Sequence, residues 1–263
     1  MKLDVIIPTY GEQGIRRVSE MVLPEVKDVS YIIGWQNYSD IPFPENLRRK
    51  DIRVIRNERT GLSQNRNHCI AASQADIVYF ADDDVTFLDG SLEKIIRSFK
   101  EYPDTDIGTY MSLTLDHSAY PTEITKLKRK LPKGYSVKSI EIAFKRTLYP
   151  HIKFDERFGL NSGRYNIGED EVFLLKAMQN HLCCRFFPIP AVSHMHESTG
   201  SKKITDKSIL KGMGVIIMKS YPHTGIIRIP LKAWRLYRNK QTSLLKGFVN
   251  LSIGGCQSLF LRI

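Results

Sequence analysis

Residues Ile77-Val78-Tyr79-Phe80-Ala81-Asp82-Asp83-Asp84 decide how this chain is read. The apolar run Ile77–Phe80 is a fully buried strand, and three carboxylates follow just past its carboxyl end. In open α/β sheets that edge is where ligands bind. Three adjacent negative charges repel one another unless a cation or solvent relieves them. Oxygen ligands at this spacing suit Mg2+ or Mn2+. A solvated acidic turn accounts for the triplet alone equally well, so its surroundings must decide.

Toward the N-terminus, Leu3–Ile7 is a short apolar strand ended by Pro8, and Tyr31–Ile33 and Ile52–Ile55 are two more. Segments 12–23 and 63–74 carry helical spacing, as does 91–101 beyond the triplet. Strands separated by helix-length segments predict crossovers and a parallel α/β sheet. The alternation breaks after about residue 105. Residues 107–115 and 135–148 read as extended, and residues 126–134 as a basic loop. Residues 169–180 read as a helix, and Cys184–Phe187 as a strand ended by Pro188 and Pro190. No internal repeat is present.

Three further segments carry polar chemistry. Gly168-Glu169-Asp170-Glu171 opens a helix, where carboxylates suit the helix dipole but also the role of a positioned general base. His194 and His196, two apart in an extended run, share a face, and a neutral imidazole can ligate a metal. In Gly61-Leu62-Ser63-Gln64-Asn65-Arg66-Asn67, Ser63 reads as a helix N-cap, with Arg66 in the first turn near a phosphate. Cys69, Cys183, Cys184 and Cys256 lack the paired spacing of a zinc site.

In order along the chain, these motifs resemble the family 2 glycosyltransferases. The opening Ile6-Ile7-Pro8-Thr9-Tyr10 is similar to that family's first strand and nucleotide-contacting turn. Asp82-Asp83-Asp84 resembles its Asp-x-Asp motif, Gly168-Glu169-Asp170 its Glu-Asp motif, and a His motif follows. The resemblance spans residues 3 to about 200. It implies a GT-A fold: a Rossmann-like, mostly parallel sheet flanked by helices. Residues 1–206 would be the catalytic domain, about 1–105 its nucleotide half and about 106–206 its acceptor half. It also implies inverting transfer from a nucleotide-diphosphate sugar to a glycan or lipid-linked acceptor. Asp170 would be the base. Asp84, Asp82 and His194 (preferred to His196) would hold Mg2+ or Mn2+. Pro8, Thr9, Tyr10, Gln36, Arg66, Asp82 and Asp83 would contact the nucleotide. Members commonly carry an Asp after the second strand to read uracil, whereas this chain has Gly34-Trp35-Gln36-Asn37. Gln36 offers both a donor and an acceptor to a base edge, and Trp35 a ring to stack or pack. The resemblance implies UDP first, and this departure keeps dTDP as the alternative.

Composition fits a globular protein: 263 residues, 42% hydrophobic and 25% charged. That excludes collagen-like, low-complexity and wholly disordered chains. Four cysteines make no disulfide scaffold, which points to a reducing compartment. No apolar run reaches about 18 residues, and no leader-like segment precedes Leu3, so the expected location is cytoplasmic.

The net charge of +11 is concentrated at one end. Residues 207–263 hold ten Lys or Arg and no acid, whereas residues 1–206 hold 29 against all 28 acids. This C-terminal region reads as a basic, amphipathic helical extension. It is expected to dock on the cytoplasmic face of an anionic membrane, its cations mixed with large apolar residues: Leu231, Trp234 and Tyr237 on a helix after Pro230, then Leu244, Leu245, Phe248, Val249 and Leu251. Its bulk is aliphatic rather than stacking aromatic, so nucleic acid is not the expected partner. Two rivals remain at this stage. A sugar nucleotidyltransferase would want a basic Gly-rich loop after the first strand, and Pro8-Thr9-Tyr10-Gly11-Glu12 is not one. A membrane-binding protein with a degenerate transferase fold would not need Asp84 and Asp170.

Overall fold

Alternate residues of a strand face opposite sides, and this sorts the core into two layers. The computed structural model describes residues 1–114, 120–128, 135–194 and 204–261. Strand β1 (Leu3–Tyr10) sends Leu3, Val5 and Ile7 to one layer and Ile6 to the other. Strands β2 (Val29–Gln36), β3 (Ile52–Asn57) and β4 (Ile77–Phe80) lie beside it. Tyr31, Ile33, Trp35, Ile77 and Tyr79 join the first layer, and Ile32, Val78 and Phe80 the second.

Helices α1 (Gly11–Glu20) and α3 (Ser91–Glu101) cover the first layer with Ile15, Val18, Leu92, Ile95 and Phe99. Helices α2 (Leu62–Ala72) and α4 (Glu169–Gln179) cover the second with Cys69, Ile70, Phe173 and Leu174. Each large side chain buried this way stabilises the fold by roughly 1.5–3 kcal/mol.

The sheet continues through β5 (Thr86–Phe87), β6 (Ile107–Thr114), β7 (Thr125–Lys126), β8 (Ile142–Lys145) and β9 (Cys184–His194). Among the described residues the order is β3-β2-β1-β4-β8-β6-β9-β5, with β7 also on β9. Strands β3, β2, β1 and β4 are all parallel, as the alternation of strands with helix-length segments predicts. Beyond β4 the sheet is mixed. β8 runs antiparallel to both β4 and β6, β9 is parallel to β6, and β5 and β7 are antiparallel to β9. No α-helix is described between β6 and β8, and strands joined without a helical crossover return antiparallel.

Three expectations are corrected. The first helix stops at Glu20, where Met21 N–H donates back to the carbonyls of Arg17 and Val18. The extended reading of 135–148 is broken by 3-10 turns at Ser139–Glu141 and Arg146–Leu148 that flank β8. Strand β9 does not end at Pro188 but runs through both prolines to His194. Its register with β6 slips around Met111, which pairs with Pro190 before Ser112 pairs with Val192. Such an irregularity tolerates residues without an N–H.

The acid-free region folds as helices α5 (Lys207–Ser220), α6 (Gly225–Arg238) and α7 (Leu244–Ser258). Asp206 caps α5 by accepting from Ser208 N–H at 2.7 Å. Pro230 lies inside α6 instead of before it, at the cost of one backbone bond. Helices α5 and α7 touch backbone to backbone. A Cβ at Gly214 would collide with the Leu251 carbonyl, and one at Gly254 with that of Lys211. The unit is seated on the α/β body: Val215 and Leu261 share a cluster with Phe158, Tyr165 and Val172.

Candidate active site

The carboxyl ends of β1 and β4 open into a cleft of about 250 Å³. Pro8, Thr9, Tyr10, Gln36, Asp82, Asp83, Asp84 and His194 all line it, drawn from four distant stretches of sequence. The parallel register brings β1 and β4 out side by side, with Ile6 opposite Phe80, so the Pro8–Tyr10 and Asp82–Asp84 turns emerge together.

The three aspartates divide their work. Asp83 is committed inward: Thr9 Oγ1 donates to it at 2.6 Å, and Arg17 donates through Nε at 3.1 Å and Nη2 at 2.9 Å. Burial pushes its carboxyl above the usual range, and Thr9 and Arg17 pull the other way. Asp83 therefore ties α1 and β1 to the acidic turn while also lining the cleft. Asp84 faces His194, with Nε2 to Oδ1 at 3.2 Å. The short antiparallel pairing of Thr86 with Ser193 brings these two ends together across more than a hundred residues of chain. Asp82 turns the opposite way and accepts from Arg66 Nη2 at 3.0 Å.

Arg66 is the hub of the site. It is 1% exposed. Its Nη2 also donates to Ser139 Oγ at 2.7 Å, and its Nη1 lies 3.4 Å from both Glu169 Oε1 and Asp170 Oδ1. Burial opposes its charge, but Asp82, Asp170 and Glu169 outweigh that and strengthen its hold on the proton. The guanidinium sits over the Phe154 ring, 5.2 Å from the centroid. Arg66 is thus a buried brace between two acidic motifs, not the first-turn phosphate binder that its sequence context suggests.

Asp170 stands in the first turn of α4, after Gly168 turns the chain with φ of 89°. Its side chain is 19% exposed, so one edge remains reachable. Burial, then the neighbouring Glu169 charge, raises its pKa well above the usual carboxylate value against the pull of Arg66. A carboxylate with raised proton affinity is the expected state of a general base. Asp170 does not itself line the cleft; Arg66 links it to Asp82, which does.

Other side chains differ from their sequence reading. Gln36 is buried, and its amide N–H groups donate to the carbonyls of Arg59 and Gly61 and to Gln64 Oε1. It serves as a fixed wall of the cleft. Trp35 is fully buried and donates from Nε1 to the Gly11 carbonyl at 3.0 Å, so it packs and does not stack on a ligand. Ser63 is not the cap: Gly61 holds that position, and Ser63 Oγ donates to the Phe158 carbonyl at 2.6 Å. His196 lies outside the described residues.

Sequence reasoning did not single out Arg17, Asn65, Leu160 and Asn161, which also line the cleft. Asn65 Nδ2 donates to the Gly34 carbonyl at 2.7 Å, joining α2 to β2. Leu62 N–H donates to Leu160 O at 2.9 Å, holding the 155–165 loop over the cleft. One signal was available: residues 63–67 are five polar side chains in a row within a helix, and all are buried. Buried polar runs are hydrogen-bonded.

Among the described residues, no three His, Cys, Asp or Glu side chains gather into a set able to hold a metal alone. Asp84 and His194 supply two donors on the cleft wall, with the Asp82 carboxylate nearby. A hexacoordinate cation would then take its other oxygens from water and from a ligand's phosphates. The donor set fits that arrangement, and its imidazole suits Mn2+ better than Mg2+.

The Glycosyl transferase family 2 model matches residues 4–144. No curated protein matches the chain. Similar solved structures include S. aureus TarS 1-349 in complex with UDP-GlcNAc, at 16% identity and a TM-score of 0.61, covering 94% of this chain and 75% of that one. The same protein in complex with UDP gives 15% identity and a TM-score of 0.59, over 94% and 74% of the two chains. TarS 1-349 without a ligand in its description gives 13% and 0.60, over 100% and 93%. Against a longer TarS structure this chain spans 45% of the length. At these identities the likeness is one of fold, and the fold is GT-A.

Proposed function

This chain belongs to glycosyl transferase family 2 and is a glycosyltransferase; from that premise we propose that it moves a sugar from a UDP-sugar, with inversion, to a hydroxyl of a glycan or lipid-linked acceptor. The observation that carries the reading is the pairing of two acidic motifs through one buried guanidinium. Arg66 bridges Asp82 of the cleft turn to Asp170 of the α4 turn. A site for the diphosphate and a base for the acceptor are thereby fixed relative to each other.

In this reading Pro8, Thr9 and Tyr10 border the nucleoside, and Tyr10, 46% exposed, offers a ring to the base. Gln36 and Asn65 shape the wall behind it. Asp84 and His194 would hold a divalent cation, which when bound neutralises charge on the departing diphosphate. Asp170 takes the proton from the acceptor hydroxyl as that oxygen bonds to the anomeric carbon. The bond from that carbon to the diphosphate oxygen breaks, and its electron pair leaves on UDP. Attack from the face opposite the leaving group inverts the centre. Burial of Asp170 strengthens it as a base once ionised. UDP rather than dTDP is favoured because the structurally similar TarS is described with UDP and UDP-GlcNAc. A lipid-linked acceptor would be met at the cytoplasmic face of a membrane, where the basic C-terminal helices suit a peripheral enzyme.

Calorimetric titration of UDP and dTDP, each with and without Mn2+, tests the donor half. UDP should bind most tightly with Mn2+ present. Equal affinity for UDP and dTDP would overturn the base assignment, and no UDP binding with Mn2+ would overturn the donor.

A further inference from the structure

Helix α7 has an outward face without a charge. Its inner face buries Leu251 and carries Gly247, Gly254 and Gly255, small enough for α5 and α6 to close in. Its outer residues recur at three- and four-residue spacing: Leu245, Phe248, Val249 and Ile253, followed by Leu259 and Phe260 just past its end. Leu245 is 75% exposed and Phe260 is 89% exposed. Single exposed hydrophobes are ordinary, whereas a contiguous stripe marks an interaction surface. Twelve of the eighteen exposed large hydrophobics among the described residues fall between Ile226 and Phe260.

The charge around this stripe says what covers it. Residues 207–263 carry ten Lys or Arg and no acid. None of the described ion pairs within 4 Å involves a cation of this region. On α6, Arg228 and Arg235 are exposed on one flank, while Ile226 and Tyr237 are exposed on another. Trp234, 51% exposed, lies under the Arg238 guanidinium, 4.8 Å from the ring centroid. A protein partner complementary to this charge would be an acidic surface with an apolar centre. An anionic bilayer is both at once, and Trp with Arg is the pairing that sits at its boundary.

We infer that α6 and α7 form a membrane-insertion surface, with the α7 stripe entering the acyl boundary of an anionic bilayer and the α6 cations meeting its headgroups. The inference rests on the peripheral location proposed above and names the surface responsible within residues 207–263, with α7 taking the leading part. No helix among the described residues is long and apolar enough to cross a membrane, so this one lies in the interface. The same helical unit holds the catalytic turn: a Cβ at Gly168 would strike Ile216 of α5, and Val215 packs with Val172 of α4. Docking would therefore fix the α4 turn that bears Asp170 relative to the lipid surface.

Because α5 is part of the catalytic packing, point variants are the proper test and truncation is not. The full chain is compared with Leu245→Gln/Phe248→Gln/Val249→Gln and with Arg228→Gln/Arg235→Gln/Arg238→Gln. Each is floated with phosphatidylcholine vesicles with and without phosphatidylglycerol, and UDP binding is measured by calorimetry on the same samples. The parent should bind the anionic vesicles and lose at least tenfold in 1 M salt. Each triple variant should bind at least tenfold more weakly, with UDP affinity unchanged. Parent binding that is absent, indifferent to phosphatidylglycerol, or retained by the α7 variant would overturn the inference. So would a parent dimer that the α7 variant dissolves, since the stripe would then be covered by a second copy. Absent UDP binding with intact vesicle binding would instead overturn the donor reading and leave the surface standing.

Discussion

Replacing Arg66 with Met removes one buried cation from among three carboxylates and leaves a side chain of similar reach. The guanidinium lies 3.0 Å from Asp82 and 3.4 Å from Glu169 and Asp170. At an effective dielectric of about 20, a unit-charge pair near this separation attracts by about 4 kcal/mol. The net loss is smaller than the sum of three such pairs, because the stranded carboxylates can take up protons or turn to the cleft water. Breaking a buried pair by deleting one partner typically costs about 3–5 kcal/mol, and that is the expected loss at pH 7. Arg66→Lys, which keeps a charge but not the fork, should lose less than Arg66→Met.

The sign of the pH dependence follows from the direction of the shifts. Burial and the Glu169 charge already hold the Asp170 pKa above its unfolded value of about 4, and without Arg66 it rises further. An acid with a raised folded pKa contributes stability that is fully present below the unfolded pKa and is lost as pH rises through the folded one. The deficit of Arg66→Met should therefore be largest at high pH and shrink on acidification toward pH 5. Urea unfolding at several pH values measures both quantities. A loss under about 1 kcal/mol at pH 7, the size of an exposed ion pair, would refute the reasoning. A deficit that grows on acidification would refute it as well.

Further outcomes follow from the other parts of the cleft. Asp84→Ala should abolish the effect of Mn2+ on UDP affinity, and parent protein stripped with EDTA should behave likewise; full activity in excess EDTA would contradict the metal role. Asp83→Ala should destabilise the fold by roughly 1–3 kcal/mol, because it strands Thr9 Oγ1 and Arg17, and thermal unfolding would read the loss. Asp170 must be ionised to accept a proton and its pKa is raised, so kcat should fall on acidification at a pH above the usual carboxylate range. A kcat that stays flat down to pH 4 would remove Asp170 from the proton transfer.

The parallel strands of the N-terminal part were legible because burial on each face leaves its own mark in the sequence, whereas their order was not. Ile77–Phe80 is apolar at every position, and such a strand at a sheet centre has only one edge at which to end in carboxylates. The proximity of Asp84 and His194 was legible only through the resemblance, since no local rule links residues that far apart. Strand β9 was read short because a proline ordinarily ends a central strand, and the register slip at Met111 that accommodates Pro190 leaves no trace in composition. Arg66 was misread for a different reason. Polar residues at a helix start suggest a solvated cap, and only the loop at Phe154–Leu160 folding back over α2 buries them. The buried Glu141, which accepts from Ser112 at 2.6 Å and Tyr120 at 2.7 Å, was invisible because both partners lie more than twenty residues away along the chain.

UDP release from a panel of UDP-hexoses and UDP-N-acetylhexosamines, with Mn2+ and with parent and Asp170→Asn proteins side by side, tests the central claim most directly. The parent should release UDP from at least one donor. Asp170→Asn, which keeps the shape but cannot accept the proton, should release it about 10²–10⁴-fold more slowly while binding UDP as tightly. Release by Asp170→Asn at the parent rate, or none from any donor by the parent, would contradict the account.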